Sequence, residues 1–336
     1  MLRFLRKRLL SLVGVLFVLT IGLFILQQLS PIDPVRAMLG DNASTTTVEA
    51  VRTQLGLDQP VYVQYLDYVM GLFRGDLGTS YQSSRPVAEE LTRYAPATFE
   101  LGGVGLIFAI LLGVLFAVST LAIRPVLRVS TGLYRGVVLL GAAAPPFLLG
   151  LLGIIVFYRD WGILPASGRL SDSTFSGPTG FMLVDTLAAG RPDLFVDALE
   201  HLVLPALCIA IGPSLVIGRV FASSLRGTLD FDYVRTARAK GLTEPWIVRR
   251  HVLRNASNPV LSLVGLQIGG MFAGALVVES IFSWPGLGSY MERAISTSDF
   301  PALAAVVLIL GVGFVTVNTL VEIVQAAIDP RLRVSG

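Results

Sequence analysis

Two lysines, two histidines and one cysteine are all that this 336-residue chain offers of the side chains that most often handle phosphate, protons or metals. A phosphate-binding loop needs Gly-Lys-Ser/Thr, so that backbone amides and an ammonium meet the same phosphate. Lys7 follows Arg6 and Lys240 follows Ala239, so the chain holds no such ATP site. His201 and His251 fall on opposite sides of an apolar run that contains Cys208. No His/Cys metal cluster can be assembled from them. A lone cysteine also excludes an intramolecular disulfide framework. No Gly-x-Ser-x-Gly elbow is present to expose a nucleophilic serine. Neither catalysis nor cofactor or metal binding is expected of this chain alone.

Two polar patterns remain. Asn318, Glu322 and Gln325 recur at i, i+4 and i+7 and so share one helix face. Carboxylates inside a membrane are functional candidates. Glu322 lies within about two turns of the end of its apolar run, so an interfacial position and a proton relay both stay open. The second pattern is the string DFDYVRTARAKGLTEPWIVRRHVLRNASNP, residues 230–259. Asp232 suits an N-cap and Gly241 a C′ position. They bracket an expected helix over 233–240. Thr243 can cap a second short helix, with Glu244 and Pro245 in its first turn. Arg235, Arg238 and Lys240 crowd the first helix, and Arg249, Arg250 and Arg254 line the second. Such a loop can lie on anionic lipid. The small Thr236, Ala237 and Ala239 on a capped helix also suit close docking into another protein's groove.

The elements that position these residues are apolar. The chain is 53% hydrophobic and 15% charged, where a soluble protein carries about 25% charged residues. Six stretches lack Asp, Glu, Lys and Arg: Leu9–Leu29, Leu101–Ile123, Gly136–Tyr158, Leu202–Gly218, Asn255–Val278 and Pro301–Val321. A membrane span needs about 20 such residues. The first stretch is too long for a cleaved signal segment and ends in Gln27, Gln28 and Leu29 rather than a small-x-small site. Cytoplasmic segments are rich in Lys and Arg. With the N-terminus inside, 64 inside residues hold 17 basic side chains and 129 outside residues hold 9. Both termini are therefore expected in the cytoplasm. A net charge of +3 spread over the chain makes no nucleic-acid surface.

Pro145, Pro146, Pro205, Pro213 and Pro259 lie in or beside these runs, and Gly265–Gly269 and Gly270–Gly274 make two GxxxG pairs. Proline kinks helices and small residues let helices approach closely. A packed bundle with some broken helices is expected. The GxxxG pairs fit intrachain packing and a subunit interface equally. No relay of Asp, Glu or His crosses the runs, against a proton-coupled pump. The residues alone reach a polytopic transporter or channel.

The string Arg235-Thr236-Ala237, followed by Gly241, resembles the coupling loop of ABC importer permeases, in which Glu-Ala-Ala and a later Gly mark the helix that docks on the ATPase. Arg235 and Thr236 replace Glu and the first Ala, and Pro259 falls late. Both departures resemble the dipeptide/oligopeptide and nickel branch, with VRTARAKGL followed by RHVLRNA. SPIDPVRAMLG, LGLDQPVYVQYLDYVMGLFRGDLGTS, RPVAEELTRYAPATFELG, ILPASGRL, HLVLPAL, ESIFSWPGLGSYMERAI and the terminal DPRLR match in kind and order, and Ile32 departs where the branch commonly has Gly. The resemblance covers nearly the whole chain.

It implies an all-α membrane protein with six transmembrane helices and the type I ABC importer permease fold. Residues 1–29 would be the cytoplasmic N-terminus and first span. Residues 30–98 would be an external domain, and 99–328 a five-span core with its coupling loop at 223–257. Residues 329–336 would be a cytoplasmic tail. Tyr62, Tyr65, Tyr68, Phe73 and Tyr81 independently argue that 30–98 is ordered. The implied machine sits in a bacterial inner membrane and pairs this permease with a second, non-identical one. Two ATPase subunits would bind ATP and Mg, and an extracytoplasmic binding protein would meet 30–98 and 159–199. Arg235, Thr236, Ala237, Arg238, Ala239, Lys240, Gly241 and Leu242 are the expected ATPase contact. The implied function is import by alternating access of di- or oligopeptides, with nickel, glutathione, haem and sugars also open. A secondary transporter or channel without an ATPase is the alternative.

Overall fold

A backbone in hydrocarbon must satisfy its own hydrogen bonds, and in this chain it does so by helices. The computed structural model describes residues 2–30, 33–40, 43–122, 141 and 144–328. Among them the one pairing of extended backbone is a single bridge between Thr79 and Pro86. Among the described residues five helices are long and apolar enough to cross a membrane: Leu10–Leu29, Val87–Thr120, Pro192–Leu229, Glu244–Ile281 and Phe300–Gln325. Residues 136–140, 142 and 143 of the expected third run lie outside the described residues. So do 124–135, Ile32 and the tail 329–336 with its DPRLR string.

The chain divides into two compact units. The first holds residues 1–98, 176–181 and 285–315. Here α1 (Leu2–Leu29) is followed by three short helices, α2 (Pro34–Leu39), α3 (Thr45–Gln54) and α4 (Val61–Phe73). Asp33 caps α2, accepting from the Val35 amide at 3.0 Å, and Ser44 caps α3 from the Thr47 amide at 3.2 Å. Asp33 also pairs with Arg52 at 2.5 Å, tying α2 to α3. Phe24 of α1 meets Tyr65 and Tyr68 of α4, with ring centroids 5.3 and 6.3 Å away. Of the five aromatics that argued for order, these two pack, whereas Tyr62 and Phe73 stay exposed. Further on, α5 (Val87–Ala122) begins in this unit, which also contains α12 (Leu287–Ser296) and the start of α13 (Phe300–Ile328). Tyr290 of α12 donates to Glu90 at 2.5 Å and stacks on Tyr94, with Arg293 5.0 Å above the Tyr94 ring. Loss of water, then the Glu90 bond, push the Tyr290 phenol far up, so it remains a donor.

The second unit holds residues 99–175, 182–284 and 316–336. After α5 come α6 (Pro146–Gly153) with a π-turn at Ile154–Asp160, then α7 (Met182–Ala188) and α8 (Pro192–Leu229). The shortest apolar run, Leu202–Gly218, is thus the core of a 38-residue helix. Pro205 and Pro213 lie inside α8, yet the helix continues through both. The expected breaks are absent at Pro205, Pro213 and Pro259, whereas at Pro145 the backbone is extended before α6 begins at Pro146; irregular turns also occur at Ile154–Asp160 and Val248–Val252. Helix contacts are set by glycine. A Cβ at Gly218 of α8 would stand 2.8 Å from the Gly113 carbonyl of α5. A Cβ at Gly265 of α11 (Leu253–Ile281) would stand 2.5 Å from the Asn318 amide oxygen of α13.

Among the described residues of this unit one ion pair has both side chains buried. Arg169 reaches Glu100 of α5 at 2.5 Å, with both side chains almost without solvent. Glu100 also accepts from the Leu183 amide at 2.8 Å, and Arg169 lies 5.5 Å over the Trp284 ring. Removing one partner of such a pair strands the other charge, so Arg169→Ala should cost about 3–5 kcal/mol of stability. Gly218→Ala should cost about 1–3 kcal/mol by overpacking. Gly103→Ala, with open space around its Cβ, should be neutral or gain up to about 1 kcal/mol of helix propensity. Thermal unfolding of the detergent-purified variants reads all three.

Candidate functional site

The basic string folds into a helical hairpin within the second unit. Its first arm is α9 (Asp232–Ala239). Phe231, not Asp232, takes the cap position, because the Phe231 carbonyl accepts the first-turn amides of Val234 at 3.0 Å and Arg235 at 3.3 Å. Asp232 becomes the first helical residue, where a negative charge still favours the helix end. The expected helix is therefore shifted one residue toward the N-terminus.

The C-terminal end is built as the spacing suggested. Gly241 has φ +77°, a left-handed conformation that glycine adopts without strain. Its amide donates to the Arg238 carbonyl at 2.9 Å, and the Leu242 amide donates to the Ala237 carbonyl at 3.3 Å. These two bonds are a Schellman ending. A Cβ here would meet nothing within 4 Å, so conformation rather than space calls for glycine.

Thr243 then occupies the cap of α10 (Glu244–Ile247), but its side chain makes no capping bond. Glu244 turns back to Arg238 instead, at 2.6 Å from Nε and 3.3 Å from the second nitrogen. That bond raises the Arg238 guanidinium above its already high range, so the pair stays ionised at physiological pH. The expected second short helix is not free-standing. From α10 the chain runs through the π-turn Val248–Val252 directly into α11, with no helix-ending residue between. The hairpin is therefore rigidly joined to a long apolar helix. A row of rings reinforces it. Phe231 stacks on Tyr233 at 5.6 Å, and His251 lies 6.2 Å from Tyr233 and 5.2 Å from Trp246. Asn255 donates to the Tyr233 hydroxyl at 3.2 Å.

The eight expected contact residues split by exposure. Arg235, Thr236, Arg238, Ala239, Lys240, Gly241 and Leu242 face solvent. Ala237 is 5% exposed and Val234 is fully buried. The helix thus presents a basic face with small residues and hides an apolar one. Beside it, Trp246, Arg249, Arg250 and Arg254 line a cleft of about 250 Å³.

The polar face of α13 is used for packing. Asn318 abuts Gly265, and Gln325 donates to the Ser262 hydroxyl at 3.0 Å. Gly265 and Gly274 thereby serve contacts within the chain, the latter against Pro146 and Ile209, while nothing approaches Gly270. The pair Glu100–Arg169 carried no sequence signal, since its partners are 69 positions apart.

Residues 105–334 match the family model described as the binding-protein-dependent transport system inner membrane component. Residues 1–102 match the N-terminal model of the same component. The chain is 40% identical over 334 residues to the probable D,D-dipeptide transport system permease protein DdpB of Escherichia coli (strain K12), covering 99% of this chain and 98% of that one. It is 39% identical to the dipeptide transport system permease protein DppB of the same strain, covering 99% of each. It is 41% identical to the di/tripeptide transport system permease protein DppB of Pseudomonas aeruginosa (strain UCBPP-PA14), again over 99% of each. A chain of membrane-length apolar helices with a capped basic hairpin, matched over nearly its whole length, belongs to the family of inner membrane permease components of binding-protein-dependent transport systems.

Proposed function

We propose that the chain is one half of the translocation pathway of an ATP-driven importer for di- or oligopeptides, and that the hairpin around α9 is where ATPase motion enters it. In this reading six spans cross the membrane with both termini in the cytoplasm. Residues 30–98 form an external domain that meets the binding protein together with 159–199. A second, non-identical permease completes the pathway, and two ATPase subunits supply ATP and Mg. The peptide substrate is argued from the names of the relatives.

The observation that carries the coupling role is the division of α9 into two faces. Val234 and Ala237 are buried, while Arg235, Thr236, Arg238, Ala239 and Lys240 are exposed. A partner that grips the exposed face would move α10 and α11 as one piece, because no break separates them. ATP-driven closure of the two ATPases would then swing the long helices and alternate access. Gly241 and Leu242 fix the end of the lever, and Ala237 contributes as its inward anchor.

Ala237→Glu would put a carboxylate into a closed site, so it should lower folding yield before it reports on docking. Arg235→Glu with Lys240→Glu is the cleaner test, since both side chains are exposed. Reversing charges across an interface costs several kcal/mol, so uptake by the complete importer in proteoliposomes should fall at least about tenfold while the unfolding temperature of the chain holds. Wild-type uptake and ATP hydrolysis in that variant would overturn the coupling assignment. A mild-detergent pull-down of the tagged chain should recover a second permease and chains with Gly-x-x-x-x-Gly-Lys-Ser/Thr. Recovery of the chain alone would overturn the importer reading itself.

A further inference from the structure

The cleft between Trp246, Arg249, Arg250 and Arg254 is not needed for the lever described above. We infer that it is a binding site for the phosphate of an anionic phospholipid headgroup. The inference rests on α11 lying in the bilayer and not on the coupling role of α9.

Charge comes first. Three guanidiniums converge on a space of about 250 Å³. They are the sixth, seventh and eleventh residues of the helical stretch Glu244–Ile281. Cations crowded together repel one another unless an anion joins them. Glu244, the carboxylate that opens this stretch, is engaged by Arg238 at 2.6 Å. Among the described residues Arg249 and Arg250 have no ion-pair partner. A phosphate would supply the missing charge, and guanidinium forks match its oxygens two at a time.

Depth comes second. The charge-free part of the helix begins at Asn255. At about 1.5 Å per residue, Arg254, Arg250 and Arg249 lie about 1.5, 7.5 and 9 Å before it. The polar layer on each side of a bilayer is about 5–8 Å thick. Arg254 and Arg250 therefore stand within the layer of lipid phosphates and Arg249 at its outer edge, whereas a soluble partner would have to reach into that layer. Trp246, half-exposed, closes one side of the cleft, and its ring is fixed by the edge contact with His251 at 5.2 Å. A cleft with one aromatic wall and three guanidiniums fits a headgroup phosphate with glycerol attached better than a free ion.

The test uses the full chain in its assembled importer, incorporated in nanodiscs of phosphatidylcholine with graded phosphatidylglycerol. Native mass spectrometry counts the phosphatidylglycerol retained. Two juxtamembrane charges are worth about 30-fold in affinity, so Arg249→Gln with Arg250→Gln should bind phosphatidylglycerol about 30-fold more weakly. Arg249→Lys with Arg250→Lys should keep most of it, which shows that a misfolded hairpin is not the cause. Arg74→Gln with Arg85→Gln removes the same charge from the other unit and should bind as wild type. Inorganic phosphate at about 10 mM should not displace the lipid. Equal retention by wild type and the Arg249/Arg250 glutamine variant would overturn the proposal. Displacement by inorganic phosphate would also overturn it, in favour of a soluble phosphate. Loss of the ATPase subunits from that variant with lipid retention unchanged would overturn it as well, in favour of a protein partner.

Discussion

Helices in a bilayer gain little by hiding apolar side chains from one another, because the lipid around them is equally apolar. What binds them is backbone proximity, and this chain obtains it from glycine. At Gly218 the α8 backbone comes so near the Gly113 carbonyl of α5 that a single methyl group would stand 2.8 Å from it. Gly265 repeats the device, leaving room for the amide of Asn318. The second unit depends on these approaches. Its buried ionic contact, Glu100 with Arg169, adds direction rather than area: it ties α5 to the segment after α6, and through the Leu183 amide to α7.

The same constraint explains why the two prolines inside α8 do not break it. Pro205 and Pro213 each remove one backbone donor, yet α8 runs from Pro192 to Leu229 around them. A helix whose neighbours pack closely can carry the freed carbonyls. The irregular geometry falls instead at two π-turns, and one of them, Val248–Val252, joins the basic hairpin to α11. A π-turn changes the phase of a helix without ending it. The hairpin can thus turn its basic face outward while it stays attached to a membrane-length helix.

That hairpin brings together charge and small side chains in one place. Its exposed face carries Arg235, Arg238 and Lys240, and its hidden face is closed by Val234 and Ala237. The hidden face anchors the helix by apolar packing, and the exposed face leaves its charges in solvent. The arginines that follow, Arg249, Arg250 and Arg254, belong to a different layer, one that meets the membrane's own charge.

Much of the molecule could be read from the sequence, because in a membrane the length and apolarity of a run dictate helix. Five of the six runs are membrane-length helices, and part of the third lies outside the described residues. The end of α9 was legible for the same local reason, since only glycine adopts φ +77° freely at position 241. The start was missed by one residue, because Phe231 could supply the carbonyl that a capping side chain would have replaced. Local chemistry therefore determined the elements, the basic string and the membrane setting. Tertiary structure alone decided that Ala237 turns inward, that Asn318 is spent against Gly265, that Glu100 finds Arg169, and that three arginines share one cleft. Each of those depends on which face of a helix meets which neighbour. Rotation about a helix axis is set by packing between segments distant in the chain, and a run of apolar residues carries almost no record of it.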